Sequence, residues 1–173
     1  MQAIDVLRGM YGRIYPMLMG EVAELSLDDL KHTHPGATIG SMLDTFVHTI
    51  MGDDLLVNVM TRGVAPMWAT GDWSAKTGIV LAERSADPAT VAAMDASQWA
   101  AFLEFAAAVR ASTEAYLASA SDDEMARMVN VPFLGRDMAV ADFLGQVSVF
   151  HMIEHAAEIS ALRGVMGKSG MRG

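Results

Sequence analysis

The chain contains no cysteine, which rules out disulfides, thiolate metal ligands and cysteine nucleophiles together. Any metal site must be built from His, Asp and Glu. Long apolar runs are also missing. Charge or glycine cuts every apolar stretch before the roughly 18 residues needed to cross a bilayer, so no membrane partner is expected. The opening Met1-Gln2-Ala3-Ile4-Asp5 lacks the basic stretch and apolar block of a secretory signal, and the expected compartment is the cytoplasm. Basic residues are scarce, with 12 Lys and Arg against 21 Asp and Glu and a formal net charge of −9. They are scattered, so a phosphate backbone would be repelled and no nucleic-acid partner is expected.

Hydrophobic residues are abundant, at 52% against 19% charged, a balance that excludes disorder. A chain of 173 residues is the size of one domain with a full core, and 1–173 is read as a single domain. Four segments have helical periodicity and none alternates as a strand. The first, 3–25, places Ile4, Leu7, Tyr11, Ile14, Leu18, Val22 and Leu25 on one stripe, with a kink or break expected at Pro16. A polar connection carrying His32 and His34 follows, and both histidines are expected to be solvated. The second helix, 39–61, is apolar on more than one side (Met42, Leu43, Phe46, Val47, Ile50, Leu55, Leu56, Val59) and should be buried.

Residues 62–94 are irregular, with Gly63, Pro66, Trp68, Gly71, Trp73, Gly78 and Pro88. They read as a crossover holding a short helix near 79–83, since long connections are usually functional or locally folded. The third helix opens on an Asp95 or Ser97 cap and ends near residue 120, with Trp99, Phe102, Ala106, Val109, Thr113 and Tyr116 inward. After a loop with Pro132, Gly135 and Asp137, the fourth runs over 140–166 and is ended by Gly167 or Gly170. The expected fold is all-α, an antiparallel four-helix bundle with a long crossover between helices two and three.

The fourth helix carries the sharpest chemical signal. Its expected inward stripe is Val140, Leu144, Val147, His151, His155, Ile159, Leu162 and Met166. Two imidazoles one turn apart can chelate one ion, or they can be core histidines that each find a hydrogen-bond partner. His48, midway along helix two, is a third candidate, because bundles assemble metal sites from inward side chains of facing helices. Asp44, one turn earlier, is placed to accept the second ring proton of His48. Glu154 and Glu158 are the candidate acid–base residues. His151-Met152-Ile153-Glu154-His155 also reads as the H-x-x-E-H peptidase pattern, which needs another ligand well downstream, and only 18 residues follow His155. Trp68 and Trp73 either cover an open metal position or pack on the surface, and the 15 methionines read as core filler.

The stretches Thr38-Ile39-Gly40-Ser41-Met42-Leu43-Asp44-Thr45-Phe46-Val47-His48 and Phe150-His151-Met152-Ile153-Glu154-His155-Ala156-Ala157-Glu158-Ile159 resemble the histidine-bearing helices of the DinB/YfiT-like superfamily of metal-dependent enzymes. The resemblance implies a four-helix bundle, frequently homodimeric, with a divalent metal on His48, His151 and His155. Zinc is the first choice of ion, with nickel, manganese or iron as alternatives. Some relatives use a low-molecular-weight thiol as co-substrate in S-transfer or isomerisation. This sequence departs from the pattern at Ala156-Ala157, where Arg-Gly is frequent, and at Glu158, where glutamine is frequent. The expected function is therefore a metal-dependent enzyme acting on a small molecule, as a thiol-dependent S-transferase or isomerase. The alternatives are a non-catalytic metal-binding or interaction module and a metal-dependent hydrolase. Metal binding is expected to weaken as pH falls through the imidazole range near 6.5.

Overall fold

In the computed structural model the described residues are 2–83 and 85–170. The first helix, α1, spans Ala3–Ala23 and buries Ile4, Leu7, Tyr11, Ile14, Tyr15, Leu18 and Val22. The expected break at Pro16 does not occur, and the helix is continuous through it. Pro16 and Gly12, whose carbonyl loses its partner, are both exposed, so water can satisfy the freed oxygen. A short α2 (Leu27–Lys31) follows. The second main helix is α3 (Met42–Asp53), which continues as a wider π-helical segment over Asp54–Thr61.

The crossover is locally folded, but not as the sequence suggests. Met67–Thr70 is a 3-10 turn, α4 is Trp73–Thr77, and α5 is Pro88–Ala93. The helix expected near 79–83 is instead a two-residue hairpin, β1 (Leu81–Ala82) with β2 (Ser85–Ala86). Gly78, at φ 72°, ends α4 just before it, a left-handed position that stops a helix. The overlooked signal was Asp87-Pro88, a cap followed by proline at the first helical position. Asp54 pins the crossover to α3, accepting from the backbone N–H groups of Met67 at 2.8 Å and Trp68 at 2.9 Å.

The third main helix, α6 (Ala96–Ser119), opens on the expected Asp95 cap, which forms a capping box with Gln98. A short α7 (Asp122–Ala126) leads into an antiparallel hairpin of β3 (Met128–Val131) and β4 (Arg136–Ala139), with Met128 opposite Ala139 and Val131 opposite Arg136. These two hairpins were not foreseen. The fourth main helix is built from α8 (Val140–Phe143), a π-helical segment Leu144–Val149 and α9 (Phe150–Val165). Gly167, at φ 73°, follows its end.

Side-chain contacts fix the directions. The first and fourth helices run parallel, because Tyr11 meets Ser148 and Glu21 meets Arg163. The α3 helix runs against the fourth, since Asp53 meets Ser148 while His48 lies beside His155. It is parallel to α6, with Phe46 on Phe102, Asp53 near Thr113 and Arg62 over Tyr116. The antiparallel bundle with its long crossover is therefore present, and the crossover is what allows its two middle helices to point the same way. No helix of the described residues is long and apolar enough to cross a membrane.

A polar knot lies inside this core. Asp53 is fully buried and accepts hydrogen bonds from Tyr15, from Ser148 at 3.0 Å and from Thr113 at 3.4 Å. Tyr11 in turn donates to Ser148 at 2.8 Å. All four helices are tied through this one carboxyl group. Burial raises its pKa to about 6, against the lowering effect of the three hydroxyls. Asp53→Ala should destabilise the fold by about 2–4 kcal/mol, because the hydroxyls lose their acceptor; urea unfolding with a loss below about 1 kcal/mol would contradict the knot. A raised pKa means that the folded state takes up a proton which the unfolded chain releases. The stability it contributes is full below the ordinary aspartate range and is lost as pH rises through about 6. The wild type should accordingly lose stability relative to Asp53→Asn over that interval.

Candidate metal centre

The site is built where α3 crosses the fourth helix. The start of α3 is set by a capping box, in which Ser41 Oγ accepts from Asp44 N–H at 3.1 Å while Asp44 Oδ2 accepts from Ser41 N–H at 3.1 Å and from its hydroxyl at 2.6 Å. This corrects the expectation that Asp44 orients His48. The free N–H of a helix start competes for a carboxylate at this position, and here it wins. The other oxygen, Asp44 Oδ1, is buried with no hydrogen-bond partner.

His48 follows one turn later. Its ring centroid lies 5.1 Å from that of His151 and 4.9 Å from that of His155, and the last two are 4.5 Å apart. His48 Nε2 and His151 Nε2 are separated by 3.1 Å. One ligand nitrogen from each of the three lies within 4.8 Å of the others. With metal–nitrogen bonds of about 2.0–2.1 Å, nitrogens on a tetrahedral ion stand roughly 3.3–3.4 Å apart. The cluster therefore fits a divalent ion after modest rotation of the rings. Among the described residues it is the group assembled for such a role, and His32 and His34 are exposed outside it.

The triad is not buried in the way the stripe on the fourth helix suggested. His48 is exposed, and His151 and His155 are half-buried. Leu144 and Ile159 are buried as expected, but between them the core takes Ser148, Met152 and Ala156 in place of Val147, His151 and His155. The π-helical segment Leu144–Val149 inserts extra chain into one turn, which moves the buried stripe on by one position and leaves the histidines at the edge of the core.

Glu158 takes a definite place. Its Oε2 lies 2.6 Å from His155 Nδ1, so Nδ1–H donates to the carboxylate and Nε2 keeps a lone pair that could ligate a metal. Glu154 is exposed and does not line the neighbouring cavity. That cavity, about 240 Å³, is walled by Ile39, Gly40, Asp44, Thr45, His48, His155 and Glu158. A larger one of about 460 Å³ lies between α1 and the end of α9, around Glu21 and Arg163. It has no histidine in its wall, so the smaller cavity is the one that matters chemically. Trp68 and Trp73 pack on Phe105, with centroids 5.0 Å and 5.4 Å away, and do not cover the triad.

The two rings that meet at 3.1 Å are held neutral. Burial, helped by His155 and His48, lowers the His151 pKa to about 4. Partial burial and then His155 lower that of His48, with Glu158 opposing. Both imidazoles thus keep a free lone pair below the ordinary range near 6.5, and an arriving cation displaces no proton from either at neutral pH.

No protein-family model matches the sequence, and no curated protein does. Solved structures do match. A conserved protein from Enterococcus faecalis aligns with a TM-score of 0.76 at 18% identity, over 97% of this chain and 99% of its own. YfiT from Bacillus subtilis, described as a probable metal-dependent hydrolase with an unusual four-helix bundle topology, aligns with a TM-score of 0.62 at 18% identity, over 96% of this chain and 89% of its own. The chain has the YfiT fold. The resemblance seen in the histidine motifs is thus matched by the architecture. At 18% identity the YfiT likeness speaks for the fold alone.

The triad makes a direct prediction. One divalent ion per chain should bind, and His48→Ala, His151→Ala and His155→Ala should each weaken it strongly by calorimetric titration. His32→Ala and His34→Ala should leave it unchanged. Glu158→Gln should weaken binding by about 10-fold, the lower end for a group that orients a ligand. Equal metal retention in the His48 and His32 variants would remove His48 from the site.

Proposed function

We propose that the chain is a metal-dependent enzyme that hydrolyses a small molecule, with His48, His151 and His155 as the metal ligands. The observation that carries this is the convergence of three imidazole nitrogens within 4.8 Å beside a cavity of about 240 Å³. A divalent ion there, with zinc the first choice for three imidazoles, supplies Lewis-acid chemistry by polarising a substrate oxygen and acidifying the group it binds. The likeness to YfiT, itself described as a probable metal-dependent hydrolase, supports the same reaction class.

The wall suggests what enters. It holds the carboxyl groups of Asp44 and Glu158 and no Lys or Arg. At about 6 Å and an effective dielectric near 20, each carboxylate repels a unit negative charge by roughly 3 kcal/mol. A divalent ion on the triad offsets these two carboxylates, so the wall by itself selects no sign of substrate charge. The space, about 240 Å³ and open to solvent, can take a small metabolite. Glu158 fixes the His155 ring and, standing at the wall, can also accept a proton from an entering group. Glu154, outside the wall, has no such position.

A second function, thiol transfer or thiol-assisted isomerisation with a low-molecular-weight thiol, draws support from the ligand set. Three neutral imidazoles leave the ion's charge to attract a soft anionic sulfur. The likeness to a structure described as a probable metal-dependent hydrolase is why hydrolysis is preferred. A homodimeric assembly, carried over from the resemblance, belongs to the same proposal.

The test compares metal-stripped with cobalt-reconstituted protein on neutral, cationic and anionic small esters and amides. Turnover should require the metal and vanish in His155→Ala. If there is no turnover but added thiols produce a sulfur-to-cobalt charge-transfer band, the thiol reaction takes its place. With neither, the bundle is a non-catalytic metal-binding module.

A further inference from the structure

Gly52 has no local reason to be where it is. It lies inside the helix Met42–Asp53, where glycine is less favourable than alanine because it loses more backbone freedom on folding. It stands one turn beyond His48, on the same helical face. A Cβ added to Gly52 would lie 2.5 Å from His151 Cε1, 3.2 Å from its Nε2 and 3.4 Å from its Nδ1. The His151 imidazole thus fills the space that any other side chain would take. Gly9, Gly12, Gly20 and Gly164, also within helices, would meet nothing.

His151 also lacks the support that its neighbour has. His155 is held through Nδ1 by Glu158, whereas His151 Nδ1 is buried with no hydrogen-bond partner. A metal-binding imidazole normally has its second nitrogen fixed in that way. Here, contact with the bare backbone of Gly52 takes over the task.

We propose that Gly52 is a positioning residue of the metal centre: its missing side chain lets His151 rest against α3 with Nε2 directed at His48 Nε2. This rests on the assignment of His48, His151 and His155 as the metal ligands. The clashing atom, Cε1, is at the far end of a side chain that can swing about two bonds. A methyl group at position 52 is therefore relieved by turning the imidazole away, and the helix itself is left intact. Fold and site should respond in opposite directions.

The experiment titrates cobalt(II) into the full chain and measures the thermal unfolding of the metal-free protein. The wild type should bind one cobalt. Gly52→Ala should unfold at the same temperature or higher, bind cobalt at least about 10-fold more weakly and give an altered ligand-field spectrum. In a His151→Ala background there is no ring to displace, so Gly52→Ala should leave the residual cobalt affinity unchanged. Wild-type affinity and spectrum in Gly52→Ala would overturn the proposal. So would an equal loss of affinity in both backgrounds, or a lower unfolding temperature with affinity unchanged. A wild type that takes up no cobalt sinks the metal assignment itself, and the role of Gly52 with it.

Discussion

The contact between α3 and the fourth helix is the constraint on which the rest depends. Three ring nitrogens from two helices must fall within a sphere that one ion can span, and a shift of either helix by one turn, about 5.4 Å, would separate them. Immediately beneath the triad, Asp53 on α3 bonds Ser148 on the fourth helix, Tyr15 on α1 and Thr113 on α6. A buried carboxyl group with three hydroxyl donors has few acceptable geometries, so it locks the register of four helices at one level. The histidine triad inherits that register from its neighbour in the core.

The site is then shaped by departures from regular helix. The π-helical segments Asp54–Thr61 and Leu144–Val149 lie on the two helices that carry the ligands. Such segments often mark functional sites. Here the second rotates His151 and His155 out of the core stripe, and His155 comes to line the cavity. A straight 3.6-residue helix would have buried both imidazoles on the stripe of Leu144, Val147 and Ile159, where their polar nitrogens would need other partners. Half-burial instead keeps His151 neutral and leaves open space beside the triad.

Much of this was legible in the sequence, and the exceptions have physical causes. The α1 stripe from Ile4 to Val22, the Asp95 cap and the helix-ending Gly167 depend on local periodicity and capping, which short-range sequence reports well. His151 and His155 stand out because imidazoles at i and i+4 on an apolar stretch are conspicuous, and His48 because it lies midway along a facing apolar helix. The hairpins escaped because strands of two to four residues have no periodicity to read. The edge placement of the triad depends on a π-helical turn that no residue pattern announces. The partners of Asp44 and Glu158 escaped for a similar reason, since whether a carboxylate serves the backbone or an imidazole is set by distances fixed only by packing. Gly52 could have been suspected, because glycine within a buried helix asks for a close neighbour, but which neighbour is a tertiary fact.

X-ray absorption on the zinc-loaded protein tests the central claim most directly. The account predicts three imidazole nitrogens at about 2.0–2.1 Å together with a light-atom ligand in the open position, and the loss of one imidazole contribution in each of His48→Ala, His151→Ala and His155→Ala. A spectrum with two or fewer imidazoles, or one unchanged by replacing His48, would contradict it.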